Sequence, residues 1–174
     1  YTVDGLLKRW PDTDYRAWYL GDWLAPAGVD YTAQSSVDLV SNCFISDCLT
    51  MMEKIAKVLG KAEDAAKYKE RRQRLNELIQ KTFYDPEKKQ YATGSQIDRI
   101  YPMLVGVTDE QHMPEVKEGL YRETLENCKG HVGSGLVGVT ILTDWAIKNG
   151  EADFLYSMLK KREQPGYLYM IDQG

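Results

Sequence analysis

Cysteine and histidine are scarce in this 174-residue chain, at three and two residues. Cys43, Cys48 and Cys128 make an odd count, which argues against a complete disulfide framework. Cys43 and Cys48 fall in an apolar helical stretch and are expected to be small buried hydrophobes. His112 and His131 show no metal-binding spacing with each other or with the cysteines, so neither a metal site nor any other cofactor is expected. Positive charge is not in surplus: the net charge is −4 and the pI about 5.3, which gives no footprint for nucleic acid. No window approaches the ~18 consecutive apolar residues of a membrane span. The chain opens Tyr-Thr-Val-Asp, with neither an initiator Met nor a basic leader, so no signal peptide is expected and the start reads as trimmed or excised. The cysteine count does not choose between cytoplasm and periplasm or secretion. Period-two alternation of useful length is nearly absent, which speaks against an extensive sheet.

What is present is a helical pattern and a wealth of Tyr and Trp. The composition, 43% hydrophobic and 28% charged, is that of a soluble globular protein. From Ser36 to Leu59 the residues Val37, Val40, Phe44, Leu49, Met52, Ile55, Ala56 and Leu59 recur at spacings near three and four. That spacing predicts a long helix with an apolar stripe, stopped by Gly60. Glu63 to Phe83 reads as a second, more polar helix, broken by Asp85-Pro86. Gln96 to Val107 is apolar again. Thr108-Asp109 is expected to cap a helix from about Glu110 to Cys128. Ser134 to Lys148 is apolar, Asn149-Gly150 turns, and Ala152 to Lys161 closes the series before Pro165-Gly166.

Apolar helix, tight turn, polar helix and longer return loop thus repeat about every 40 to 50 residues, the spacing of a stacked array of helix pairs. The expected fold is all-α, with residues 36–174 forming about three helix pairs behind a leading loop of residues 1–35. An inner and an outer layer follow from the alternation of apolar and polar helices. Antiparallel pairing places the tight turns at one end. The return loops, residues 21–34, 85–95, 129–133 and 164–174, fall at the other. Loops held on a rigid scaffold are where binding residues concentrate.

The leading loop contains Gly21-Asp22-Trp23-Leu24. A carboxylate beside an indole suits a sugar, through hydroxyl hydrogen bonds and stacking on a pyranose face. The same residues suit a buried Trp anchoring the loop, with Asp22 capping a turn. His131, in Gly130-His131-Val132-Gly133-Ser134-Gly135, reads as a ligand contact or as a structural residue, and Ser134 as a helix N-cap. Glycoside hydrolysis needs two carboxylates across one bond. The acids on the loop face are Asp22, Asp30, Asp85, Asp98 and Asp172, and no pair among them is singled out.

Gly21-Asp22-Trp23-Leu24, Ile55-Ala56-x-x-Leu59-Gly60, Gly94-Ser95-Gln96, His131-Val132-Gly133-Ser134-Gly135 and Pro165-Gly166-Tyr167-Leu168-Tyr169-Met170-Ile171 occur in the order seen in bacterial α-L-rhamnosidases, glycoside hydrolase family 78. The resemblance runs from about Asp4 to Gly174. It implies that residues 1–174 are part of an (α/α)6 toroid, the six-hairpin glycosidase fold. The implied activity is removal of terminal α-L-rhamnose with inversion. By the resemblance Trp23 helps wall the rhamnose subsite, and Asp22 either touches sugar or positions its loop; His131 and Tyr167, on the return loops, are the further expected substrate-binding residues. The family's general acid belongs to a segment with no counterpart between Tyr1 and Gly21. Its general base belongs to an Ala-Thr-Thr-x-Trp-Glu segment expected just past Gly174. No catalytic carboxylate is therefore expected within the chain, and the chain alone should be inactive. The alternatives are another α/α-toroid carbohydrate enzyme of the unsaturated uronyl hydrolase type, or a non-catalytic helical-repeat module. The expected partners are a rhamnosyl glycoside and, across raw apolar flanks, a second copy or the rest of the parent chain.

Overall fold

The computed structural model describes residues 2–9, 20–26 and 28–174. Tyr15 to Tyr19 of the leading loop lie outside the described residues. Helices dominate: α1 (Gln34–Val58), α2 (Ala62–Phe83), α3 (Gln96–Leu104), α4 (Met113–Arg122), α5 (Leu136–Asn149), α6 (Ala152–Leu159) and α7 (Tyr167–Asp172). They form the pairs α1/α2, α3/α4 and α5/α6. The first helices of the pairs pack side by side, α3 lying between α1 and α5. The more polar α2 and α4 each pack against the first helix of their own pair, as the spacing predicts for an outer layer, whereas α6 is as apolar as α5.

Two small hairpins add what periodicity does not announce. β1 (Thr2–Val3) and β2 (Leu6–Leu7) pair antiparallel, as do β3 (Tyr84–Asp85) and β4 (Gln90–Tyr91). Asp4 and Gly5 both have positive φ, the signature of an Asp-Gly hairpin turn. Buried Asn42 on α1 grips this hairpin with both ends of its amide: Oδ1 accepts from Leu7 N at 2.9 Å and Nδ2 donates to Leu7 O at 2.8 Å. Asp38 receives Arg9 N at 3.1 Å beside it.

The core runs through the inner helices. Leu39, Val40 and Cys43 from α1, Ile97, Ile100 and Tyr101 from α3, and Leu142, Trp145 and Ala146 from α5 are all buried, with Ile79 and Phe83 of α2 closing one side. Every residue from Gln96 to Met103 is buried, because α3 is flanked by both its neighbours. A polar relay sets the level of the elements: Ser46 Oγ donates to Asn76 Oδ1 at 2.6 Å, and Asn76 Nδ2 donates to Gly106 O at 3.0 Å. The end of α3 therefore meets α1 and α2 near their middles. At 1.5 Å per residue, α3 is about 13 Å long and α1 about 37 Å. The C-terminal half of α1 projects beyond it.

This explains several departures from the sequence expectation. Phe44, Met52, Ile55 and Leu59 belong to the apolar stripe yet are exposed, and only Val37, Val40, Leu49 and Ala56 of that stripe are buried. Cys43 is buried as expected, but Cys48 is exposed, since it sits among these uncovered positions. Gly60, at φ +68, ends α1 as expected. Thr108 does not cap α4. Asp109 Oδ1 instead accepts His112 N at 2.9 Å at the helix start, with Pro114 in the first turn. α4 then widens into a π-helical turn at Glu123–Asn127. Residues 164–174 are not all loop, since Tyr167 to Asp172 wind into α7.

Among the described residues no helix is long and apolar enough to cross a membrane, and no group of three His, Cys, Asp or Glu is placed to hold a metal ion.

Candidate functional site

Asp22 is the loop-end acid that ties the leading loop to α5. It is 1% exposed, and both of its carboxylate oxygens are engaged across the fold. Gly135 N donates to Oδ2 at 2.7 Å and Gly138 N to Oδ1 at 2.6 Å. Leu136 N donates to the Trp23 carbonyl at 2.8 Å. The first amides of a helix have no partner within it and carry the positive end of its dipole. Here the leading loop satisfies three of them from more than a hundred residues away in sequence. Burial raises the Asp22 carboxyl above its usual range, while the two glycine amides pull it back.

Ser134 is therefore not the N-cap that the sequence predicts. Gly135 holds that position with no side-chain cap of its own, and Ser134 Oγ donates to Gln96 Oε1 at 3.2 Å. Two glycines make room for the loop. A Cβ on Gly135 would strike the Trp23 and Asp22 carbonyls, and one on Gly138 would lie 2.7 Å from Asp22 Oδ2 and 2.7 Å from Ser134 Cβ. Gly21, at φ +57, has Val37 and the Tyr31 carbonyl within 3.0 Å of where its Cβ would be.

Gln96 is the second organiser, with no role legible from the sequence beyond its place in a motif. From the first turn of α3, its Nε2 donates to Thr124 Oγ1 at 2.9 Å and to His131 O at 3.3 Å. Its Oε1 accepts Gly133 N at 2.8 Å. One buried amide thus fixes the whole 131–134 loop against the π-turn. The detectable signal was a polar residue at a position that helical spacing assigns to the core.

Around this scaffold lie two adjoining cavities. The larger, about 500 Å³, is walled by Leu24, Leu136, Val139, Met158, Tyr167 and Met170, among others. The smaller, about 260 Å³, takes in Val29, Glu123, Asn127, Lys129 and His131. Pro26, Val132, Gln164 and Pro165 border both. Tyr167 opens α7 and is half-exposed in the larger cavity. His131 is buried, and its Nδ1 has no hydrogen-bond partner among the described residues. Trp23 presents a half-exposed ring and lines neither cavity, though its main chain is fixed to α5. The structure thus gathers the Trp23 backbone, Asp22, His131 and Tyr167 around the 131–136 and 164–167 segments.

The remaining loop-face acids are committed elsewhere. Asp98 is fully buried, accepting Ser36 Oγ at 2.6 Å and Thr93 Oγ1 at 2.6 Å, and burial raises its carboxyl above the usual range. Asp30 accepts Thr32 N and Oγ1, Asp85 accepts Glu87 N and Lys88 N, and Asp172 pairs with Arg162 at 2.7 Å. Each of the five acids at the loop end is thus held by a hydrogen-bond or ion-pair partner.

Comparison with known proteins places this architecture. An alpha-L-rhamnosidase of Formosa agariphila is 24% identical over 155 residues, 88% of this chain and 17% of that protein. One from Alteromonas sp. (strain LOR) is 26% identical over 162 residues, again 88% of this chain and 17% of that protein. The solved structure of the alpha-L-rhamnosidase from Dictyoglumus thermophilum superposes with a TM-score of 0.80 at 25% identity, over 88% of this chain and 17% of that one. The chain thus spans about one sixth of the length of these relatives. The family described as the bacterial alpha-L-rhamnosidase 6 hairpin glycosidase domain matches residues 1–174 throughout. With its helix pairs, its loop-to-helix clamp and this match over its full length, the chain belongs to that family.

Proposed function

We propose that this chain is part of the catalytic domain of an enzyme that removes terminal α-L-rhamnose from glycosides by an inverting mechanism. In this reading it supplies walls and scaffold while the acid and base come from elsewhere in the parent protein. The observation that carries the reading is the clamped Gly-Asp-Trp loop, in a chain whose full length matches a rhamnosidase domain family. An indole beside a sugar subsite packs on the C–H face of the ring. Tyr167 and His131 border cavities at the same end of the array and are read as further contacts to the rhamnoside.

Inversion requires an acid and a base ~6.5–9.5 Å apart with a water between them. The five loop-face acids here are engaged in caps, turns and ion pairs, which supports placing both catalytic groups outside the chain. The bare apolar faces, on α1 at one end of the array and on α5 and α7 at the other, are read as the seams where further hairpins of the same domain pack. Without those hairpins the seams would pair with a second copy.

An aryl α-L-rhamnoside assay tests the reading. The full-length enzyme is expected to release the aryl alcohol, and the 174 residues alone to give no turnover above buffer. Robust cleavage by the isolated chain would overturn the assignment of acid and base outside it.

A further inference from the structure

We propose that Asp22 is a positioning residue. In this proposal it acts on substrate only through Trp23, by clamping the Gly-Asp-Trp loop to the start of α5. The inference rests on the reading of Trp23 as a wall of the sugar subsite and adds a role for its neighbour. At 1% exposure, with one oxygen on Gly135 N and the other on Gly138 N, the Asp22 carboxylate faces the helix and not a cavity. The Leu136 amide to the Trp23 carbonyl extends the same clamp by one residue. The clamped pair is bracketed by left-handed residues, Gly21 at φ +57 and Leu24 at φ +60. A leucine holds that conformation only where its surroundings over-determine it. The three hydrogen bonds to α5 are what fix the backbone between those two points. The indole is therefore aimed by its main chain, and the main chain is aimed by Asp22.

The bare glycine at position 138 is part of the device. A methyl group there would crowd both Asp22 oxygens, at 2.7 and 2.9 Å, and Ser134 Cβ at 2.7 Å. Gly138→Ala thus disturbs the clamp from the helix side and leaves both Asp22 and Trp23 chemically intact. Asp22→Asn disturbs it from the loop side, since an amide has one accepting oxygen where the carboxylate has two.

The test is a double-mutant cycle in the full-length enzyme, with kcat and KM measured on an aryl α-L-rhamnoside and folding checked by circular dichroism. Trp23→Ala is expected to raise KM roughly tenfold or more, the signature of lost binding to substrate. Asp22→Asn and Gly138→Ala are each expected to raise KM several-fold with kcat within about twofold, and to add almost nothing when Trp23 is already Ala. A role confined to general stability would leave the KM of the folded enzyme unchanged. Effects of Asp22→Asn and Trp23→Ala that simply multiply would overturn the positioning role while leaving Trp23 as a sugar contact. A normal KM for Trp23→Ala would overturn the subsite reading and the positioning role with it. If Asp22→Asn does not fold, Gly138→Ala decides by the same comparison.

Discussion

The two halves of α1 are similarly apolar in sequence and differ sharply in what covers them. In the first half Val37, Leu39, Val40 and Cys43 are buried, with Asp38 and Asn42 beside them holding the β1–β2 hairpin. α3 and the Gly21 turn pack on further sides, leaving Phe44 as the large apolar side chain exposed in this half. In the second half Met51, Met52, Ile55 and Val58 stand exposed, while α2 packs along the helix and Leu49, Glu53 and Ala56 are buried. The difference comes from the neighbour: α3 ends at the level of Asn76, where α1 has more than a full turn still to run. An apolar stripe states that a face seeks cover. It does not state whether the cover lies within the same 174 residues.

Mutations in the two halves should separate by size. Leu39→Ala removes a fully buried side chain that the core cannot refill, and is expected to cost about 3 kcal/mol in urea unfolding of the chain. A loss below about 1 kcal/mol would mean that the first half is far looser than its burial indicates.

Titration should split the halves by sign. Asp98, which binds Ser36 at the start of α1, has its carboxyl raised by burial against the pull of Ser36 and Thr93. The unfolded chain then releases that proton at lower pH than the folded one. The contribution of Asp98 is complete below its unfolded pKa and is lost as pH rises through its folded pKa. Glu53, in the second half, is lowered, first by its hydrogen bond from Lys57 and then by that from Arg72. Its contribution is present above the unfolded pKa and is lost as pH falls through the folded one. Relative to wild type, Asp98→Asn should therefore gain stability as pH rises, and Glu53→Gln should gain as pH falls. Denaturation curves across a pH series check both, and parallel curves for all three proteins would refute the assignment.

The smallest effect on stability belongs to the bare seam. Ile55→Lys should change the unfolding free energy of the 174-residue chain by less than about 0.5 kcal/mol. It should also reduce self-association in sedimentation and destabilise the full-length enzyme. A large loss in the isolated chain would show that the second half is covered after all.

The helices and their pairing were legible in the sequence because spacing near 3.6 reports a buried face directly. So were the chain break at Asp85-Pro86 and the stop at Gly60. What escaped was long-range or very short. The cap on α5 comes from Asp22, more than a hundred residues away, so the local rule chose Ser134. Asp4-Gly5 carried a hairpin signal, but the strands it joins have two residues each, below what periodicity can detect. Cys48, expected to be buried, and Ile55, a member of the apolar stripe, are exposed because the cover of a helix face is not determined by that helix alone. Of the site, the motif around Trp23 and the loop around His131 were visible as residue types. That Asp22 binds a helix, and that Gln96 holds the His131 loop, required the fold.

The stereochemistry of the sugar released by the full-length enzyme tests the proposed inverting mechanism most directly. Proton NMR recorded in the first minutes of cleavage of an aryl α-L-rhamnoside is expected to show β-L-rhamnose first, with the α anomer growing in by mutarotation. α-L-Rhamnose as the initial product would contradict the inverting mechanism in which this chain is proposed to take part.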